Sequence, residues 1–377
     1  MKKHYMFTPG PTMVPPEVLM AEAAPMIHHR TPQFSQILCE ATDTLKELFG
    51  TARDVYIISG SGTAAMEAAI ANTCSPGDKA VCVVGGKFGE RWAELCKAYG
   101  CEVSVVETEW GSSPTVEEVR GALEAAGDAR VLCVTHSETS TGALTDLEAM
   151  AALTCTSSTL LVVDSITGVG VHPVKMDQWG IDVVVSGSQK GLMMPPGLAF
   201  IAASERAWKA VEASTSPRYY LDLRAMKKNL AKKTTPYTPA VSLVRGLHKA
   251  LEMMREEGLD SVYARHELMA RAARGAAEAL GLKLLAENPV NGVTTVCAPE
   301  GIDTGKLTKL TRDAYGITLA GGQGHLKGKI FRIGHMGYVS PEDMLVAVSA
   351  VERALKEMGY EFEFGAGVAA AQKVLFG

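Results

Sequence analysis

Lys190 stands in VVVSGSQKGLMMPPGLAF, where an apolar run delivers a loop of small residues, one lysine, and then glycine and prolines. Desolvation lowers an ammonium pKa and so gives a lysine the free amine it needs to attack an aldehyde. A lysine that snorkels from a loop is the blander use of the same pattern. Asp164 closes the apolar run TLLVVDS, so its carboxylate either meets a cationic or hydrogen-bonding partner or caps a turn. Gly60-Ser61-Gly62-Thr63 follows VYIIS and opens TAAMEAAI. Glycines let backbone approach a ligand and helix N-terminal amides favour an anion, so this run is either a phosphate cup or a simple N-capped turn. No Gly-Lys-Ser or Gly-Lys-Thr follows, which disfavours a nucleoside triphosphate. Arg332, between Phe331 and Ile333 in KIFRIGH, is either paired internally or offers its planar fork to a carboxylate. Phe88, after VVGGK, reads by itself as core.

These residues need a scaffold that brings strand ends together. Between residues 55 and 204, short β-rich runs alternate with helical patterns. The runs are VYIIS (55–59), AVCVVGG (80–86), CEVSVVET (101–108), RVLCVTHS (130–137), TLLVVDS (159–165), DVVVSGS (182–188) and LAFIAAS (198–204). Near-continuous apolar strands joined by helices predict an α/β domain with a mostly parallel seven-stranded sheet covered on both faces. Ligands of such sheets bind beyond the carboxyl ends of the strands, which is where the candidates above fall. Long helical patterns occupy 240–280. Strand-like runs (GVTTVCAP, GITLAG, KIFRIGH), the apolar run LKLLAE and helical patterns near 303–315 and 341–357 then predict a smaller α+β unit. The expected division is an N-terminal segment, 1–20, packing on the body, a large domain, 21–255, and a small C-terminal domain, 256–377.

Composition narrows the function classes. A formal net charge of -5 argues against a general polyanion binder, and the local run Lys227, Lys228, Lys232, Lys233 reads as a solvated helix face or loop. No apolar run approaches a membrane span, and Pro and Gly interrupt the opening MKKHYMFTPGPT before a signal-peptide core. The eight cysteines show no CxxC pair and no metal-finger spacing. They read as buried reduced thiols, which predicts no metal and a reducing, cytoplasmic compartment.

The combination resembles one family over essentially the whole chain. Ser186-Gly187-Ser188-Gln189-Lys190 with Pro195-Pro196-Gly197 is similar to the cofactor-lysine segment of class V aminotransferases, in the alanine–glyoxylate and serine–pyruvate group. Thr8-Pro9-Gly10-Pro11, Gly60 to Thr63, Thr135 to Gly142, Val163-Asp164-Ser165, Thr238-Pro239 and Arg332-Ile333-Gly334 extend the likeness. The resemblance implies a fold-type I pyridoxal 5'-phosphate enzyme. Lys190 would hold the cofactor as a Schiff base and shuttle the proton, and Asp164 would hold the protonated pyridine nitrogen. Ser61, Gly62, Thr63 and Gln189 would bind the phosphate. Phe88 takes the place of a stacking aromatic, commonly tryptophan, keeping the ring face and losing the indole N–H. Thr139 would approach the phenolic oxygen. Arg332 would grip the substrate α-carboxylate, with Gly10 nearby. Thr238, and Thr235 where the family often has tyrosine, would reach the phosphate of a second subunit, which makes the enzyme a homodimer with shared sites.

The implied reaction is amino transfer between a small amino acid (alanine, serine or aspartate-like) and a small 2-oxo acid (glyoxylate or pyruvate). Two rivals remain at this stage: a lyase or cysteine desulfurase of the same fold, and a catalytically silent binding subunit. A desulfurase needs a cysteine on a mobile loop, and the late chain offers only Cys297, in a strand-like run. Arg30 either recognises a second acidic group or pairs across the dimer interface.

Overall fold

The computed structural model describes residues 3–377. At its centre is a seven-stranded sheet in the order Val55–Ser59, Leu198–Ala203, Val183–Gly187, Leu160–Asp164, Val131–Thr135, Lys79–Val84, Glu102–Glu107. Each strand lies within two residues of its predicted run. Leu198–Ala203 is antiparallel to both neighbours, and all other pairs are parallel. The reason is its connection: a parallel return needs a crossover of a dozen or more residues, usually a helix, and the link 188–197 holds none.

Val131–Thr135, Leu160–Asp164 and Val183–Gly187 are buried at every position, as strands covered on both faces must be. Side chains alternate between two apolar layers. Leu132, Val134, Leu161 and Val163 face a layer that includes Phe49 and Leu247, whereas Val131, Cys133, Val162 and Val185 face Met66, Ile70 and Trp92. The second layer also gathers Cys82, Cys96 and Cys133, whose sulfurs lie within 4.8 Å of one another. That grouping is invisible in their spacing along the chain, and their complete burial among apolar neighbours makes them core packing. All eight cysteines are free, but Cys155 is exposed and Cys39 and Cys297 are only half-buried, so burial was overestimated for those three.

A second sheet runs Tyr5–Phe7, Ile317–Gly321, Ile330–Gly334, Val293–Cys297. The N-terminal strand pairs parallel with Ile317–Gly321, and helix Pro16–Ala23 lies against helix Val241–Glu257. Helix Val241–Glu257 packs into the large-sheet core and Leu259–Ala279 into the second. They are separated by Gly258, whose φ of +85° lies where glycine is favoured. LKLLAE forms no strand, only one bridge from Leu284 to Val296. Pro341–Glu357 appears where expected, started by a reciprocal cap between Ser340 and Asp343. Helix Ala366–Phe376, packed on Leu259–Ala279, was not anticipated. No helix among the described residues is long and apolar enough to cross a membrane.

Candidate active site

The loops that leave the carboxyl ends of the parallel strands carry the candidate residues, and the N-terminal segment closes over them. Lys190 is buried, and its Nζ donates to the Pro9 carbonyl at 2.7 Å. Thr12 Oγ1 donates to the Lys190 carbonyl at 3.2 Å, so residues 9–12 bracket the lysine. Gly10 has a φ of +125°, and a Cβ there would overlap Lys190 Nζ. Glycine is therefore required at that approach. Burial lowers the Lys190 amine to about 8; Asp164 opposes the shift, and Arg332 and Arg91 reinforce it.

Asp164 ends its strand with its carboxyl buried and Oδ1 accepting from the Ile166 amide at 2.8 Å. Burial pushes it up to about 7, the charge of Glu138 adds to the rise, and the Ile166 amide, Arg91 and Lys190 restrain it. A carboxylate in this setting is completed by a cationic N–H donor. Arg332 enters from the second sheet. Its Nη1 donates to the Thr139 carbonyl at 2.7 Å, and its Nη2 and Nε donate to the Gly321 carbonyl at 2.7 and 3.1 Å. Burial lowers it to about 10, and all of its bonds go to neutral carbonyls. The charge of Glu138 opposes that shift without a bond between the two side chains. The Thr139 hydroxyl meets that of Thr167 at 2.7 Å.

The cup is formed where helix Gly62–Thr73 starts. Ser61 precedes it without capping it through its side chain, and is itself exposed. Gly187 packs beside the Gly62 backbone, 3.4 Å from where its Cβ would stand, so the Ser186–Lys190 loop adjoins this helix start. Gln189 Oε1 is buried with no hydrogen-bond partner. An uncapped helix start, an unpartnered amide side chain, a buried carboxylate that calls for an N–H cation and a buried amine fit pyridoxal phosphate group by group.

Two residues of the centre were missed from the sequence. Glu138 was seen only as part of a motif. Its buried carboxylate accepts from the Phe88 and Gly89 amides at 3.1 and 3.0 Å and from Ser140, and so anchors the start of helix Lys87–Ala98. Burial raises its carboxyl, and these donors oppose the shift. Arg91 follows Phe88 by three positions, which places the two side chains on one helix face. Its guanidinium lies 4.9 Å from the Phe88 ring centre, and its Nη1 donates to Thr63 Oγ1 at 3.2 Å. That spacing was the available signal.

Three expectations fare differently. Exposed Arg30 donates from Nη1 to the Thr235 carbonyl at 2.6 Å and to Thr234 Oγ1, which ties it to the loop that carries Thr238. The Thr235 hydroxyl donates to the Tyr237 carbonyl at 2.7 Å, whereas Thr238 is exposed. Their loop lies along strand Val55–Ser59, where the Ala240 amide donates to Ser59 Oγ at 3.0 Å. Cys297 ends a paired strand, and burial raises its thiol. It is not the loop thiolate that a desulfurase requires.

The fold is that of a pyridoxal-phosphate type of α/β transferase, and the buried lysine, aspartate and arginine fit it. A solved structure, ureidoglycine–glyoxylate aminotransferase from Bacillus subtilis, superposes with a TM-score of 0.93 at 30% identity, covering 99% of this chain and 98% of that one. The family described as Aminotransferase class-V matches residues 4–338, and the chain belongs to it. The L-aspartate–glyoxylate aminotransferase of Paracoccus denitrificans is 38% identical, over 98% of this chain and 95% of its own length. A protein named soluble hydrogenase, small subunit, from Synechococcus is 45% identical, over 99% and 98%. The chain is thus a class V aminotransferase, a family whose cofactor is pyridoxal phosphate.

Proposed function

We propose that the enzyme moves an amino group from a small donor (alanine, serine or an aspartate-like acid) to a small 2-oxo acid, glyoxylate or pyruvate, with the cofactor held on Lys190. The carrying observation is the pairing of a buried amine at about 8 with a buried guanidinium that has only carbonyl partners. Two of the three relatives above have glyoxylate in their names. The hydrogenase name belongs to the Synechococcus protein; the lysine–aspartate–arginine centre of this chain favours amino transfer.

Pyridoxal phosphate, when bound, supplies an aldehyde and a ring that accepts an electron pair. Asp164 would hold the ring N–H, Phe88 would stack on the ring, and Thr139 would approach its phenolic oxygen. Ser61, Gly62, Thr63 and Gln189 would hold the phosphate. Arg332 binds the α-carboxylate of donor and acceptor alike, which suits a ping-pong exchange through one site. Lys190 Nζ takes the proton from the donor α-carbon, a task for which an amine near neutrality is suited. Gly10 and Pro9 exclude water from the amine and fix its direction.

Assembly belongs to the same reading. Met20, Met26 and Tyr219 are strongly exposed, at 73%, 69% and 79%. They support a homodimer in which Thr235 and Thr238 reach the partner's phosphate. Free thiols and a net charge of -5 favour a cytoplasmic enzyme of small molecules, working without nucleic acid or membrane. Residues 21–255 would form the large, cofactor-carrying domain and residues 256–377 the smaller one, with residues 1–20 packing on this body.

Borohydride reduction of the holoenzyme should trap the cofactor on the peptide containing Lys190, and Lys190→Ala should abolish turnover. Trapping on another lysine sinks the assignment. A screen of aspartate, alanine, serine and aminoethylphosphonate against glyoxylate, pyruvate and oxoglutarate then fixes the substrates; sulfide release from cysteine would favour the desulfurase instead.

A further inference from the structure

We infer that Arg91 is an anion-binding residue of the cofactor cradle, supplying from the Thr63 side the positive charge that the phosphate cup itself lacks. The inference rests on Lys190 as the cofactor lysine. A phosphate monoester carries about 1.5 to 2 negative charges at pH 7, while a helix N-terminus offers only about half a positive charge. Ser61, Thr63 and Gln189 add neutral dipoles. Among the basic groups acting on the centre, Lys190 is given to the aldehyde and Arg332 to the substrate carboxylate. Arg91 remains, and its charge acts on both Lys190 and Asp164.

Its position is built. It lies on helix Lys87–Ala98, which Glu138 anchors at the Phe88 and Gly89 amides. It contacts the Thr63 hydroxyl and the Phe88 ring and, among the described residues, forms no ion pair with a carboxylate. A guanidinium that is half-buried, stacked and without a counter-ion keeps most of its N–H donors for a ligand. Thr63 Oγ1, which accepts from Arg91, sits in the first turn of the cup helix, so an anion at that helix start lies beside the guanidinium. Phenylalanine at position 88 has no N–H to offer, so stacking comes from Phe88 and the charged donor from Arg91, which Thr63 holds independently of the ring.

The test compares pyridoxal phosphate with pyridoxal, which lacks the phosphate, on full-length apoenzyme. Dissociation constants are measured by absorbance and fluorescence for the wild type, Arg91→Met, Arg91→Lys and Phe88→Leu. Arg91→Met should weaken pyridoxal phosphate about 10- to 100-fold, the span of a charge-assisted hydrogen bond, and leave pyridoxal within about threefold. Arg91→Lys should recover part of the loss. Phe88→Leu should weaken both ligands alike. Inorganic phosphate should compete with pyridoxal phosphate in the wild type and lose that ability in Arg91→Met. If Arg91→Met weakens both ligands equally, or neither, the residue serves packing alone and the inference is overturned. Wild-type protein without preference for the phosphorylated ligand, or trapped at another lysine, would instead refute the Lys190 reading and this inference with it.

Discussion

Replacing Asp164 with asparagine should stabilise the cofactor-free protein at alkaline pH while disabling the enzyme. Burial raises the carboxyl from its ordinary 3.8 to about 7. An acid whose folded pKa is raised favours the native state at low pH, and that advantage is lost as pH climbs from 3.8 to about 7. At about 1.4 kcal/mol per pH unit, holding the charge above pH 7 costs about 4 kcal/mol in the absence of a cationic partner. Asparagine keeps an acceptor for the Ile166 amide and carries no charge. Apo Asp164→Asn should therefore melt several degrees above apo wild type at pH 8, and the gap should narrow as pH falls toward 5. Adding cofactor should reverse the order, because only the carboxylate pairs with a protonated ring nitrogen. Turnover should fall by about 10²- to 10³-fold, the worth of a buried charged hydrogen bond at about 3–4 kcal/mol. Differential scanning fluorimetry across pH, with and without pyridoxal phosphate, reads all of this. A gap that is the same at pH 5 and pH 8 would refute the reasoning, since its source would not be the carboxyl charge.

Further tests address other parts of the centre. The rate at which apoenzyme captures pyridoxal phosphate should rise with pH and level off near 8, because the neutral amine attacks and burial sets its pKa there; a rise continuing toward 10.5 would mean a solvated lysine. Arg332→Ala should raise KM for donor and acceptor together by about 30- to 300-fold, while simple amines without a carboxylate react unchanged; steady-state kinetics on both half-reactions decide it. Gly10→Ala should leave a folded protein, checked by circular dichroism, that captures cofactor at least about tenfold more slowly, because the added methyl meets the Lys190 amine. Glu138→Ala should destabilise the protein by about 2–3 kcal/mol in denaturant melts, since the Phe88, Gly89 and Ser140 donors lose a buried acceptor.

Much of the scaffold was legible because buried parallel strands write themselves as unbroken apolar runs. VVV at 183–185 and LLVV at 160–163 needed no partner information to be recognised. The direction of Leu198–Ala203 was legible in principle too, in the prolines and the missing helix before it. The strand Tyr5–Phe7 was not, since three residues carry no period and its partner lies at the other end of the chain. Within the centre, Lys190, Asp164 and Arg332 were found by their residue types against an apolar background. Glu138 and Arg91 were missed because their value lies in what they face. Glu138 matters through amides fifty positions away in sequence, and Arg91 through the hydroxyl of another helix. Arg30 belongs with them, since its bonds to Thr234 and Thr235 join positions more than two hundred residues apart in sequence.

The lysine is tethered by Pro9, and the segment that carries Pro9 is in turn held by the second sheet. Pro9 binds the Lys190 amine, while Tyr5–Phe7 pairs with Ile317–Gly321. Tyr5–Phe7 is made long before its partner strand Ile317–Gly321, so that pairing closes only after every strand of the large sheet exists. The setting of the reactive amine is therefore completed by a strand that follows all of the large sheet in sequence. A product that stops before residue 317 lacks the strand that holds the tether, whatever its large sheet does. Cofactor colour would then report that the second sheet has closed around the segment that meets Lys190.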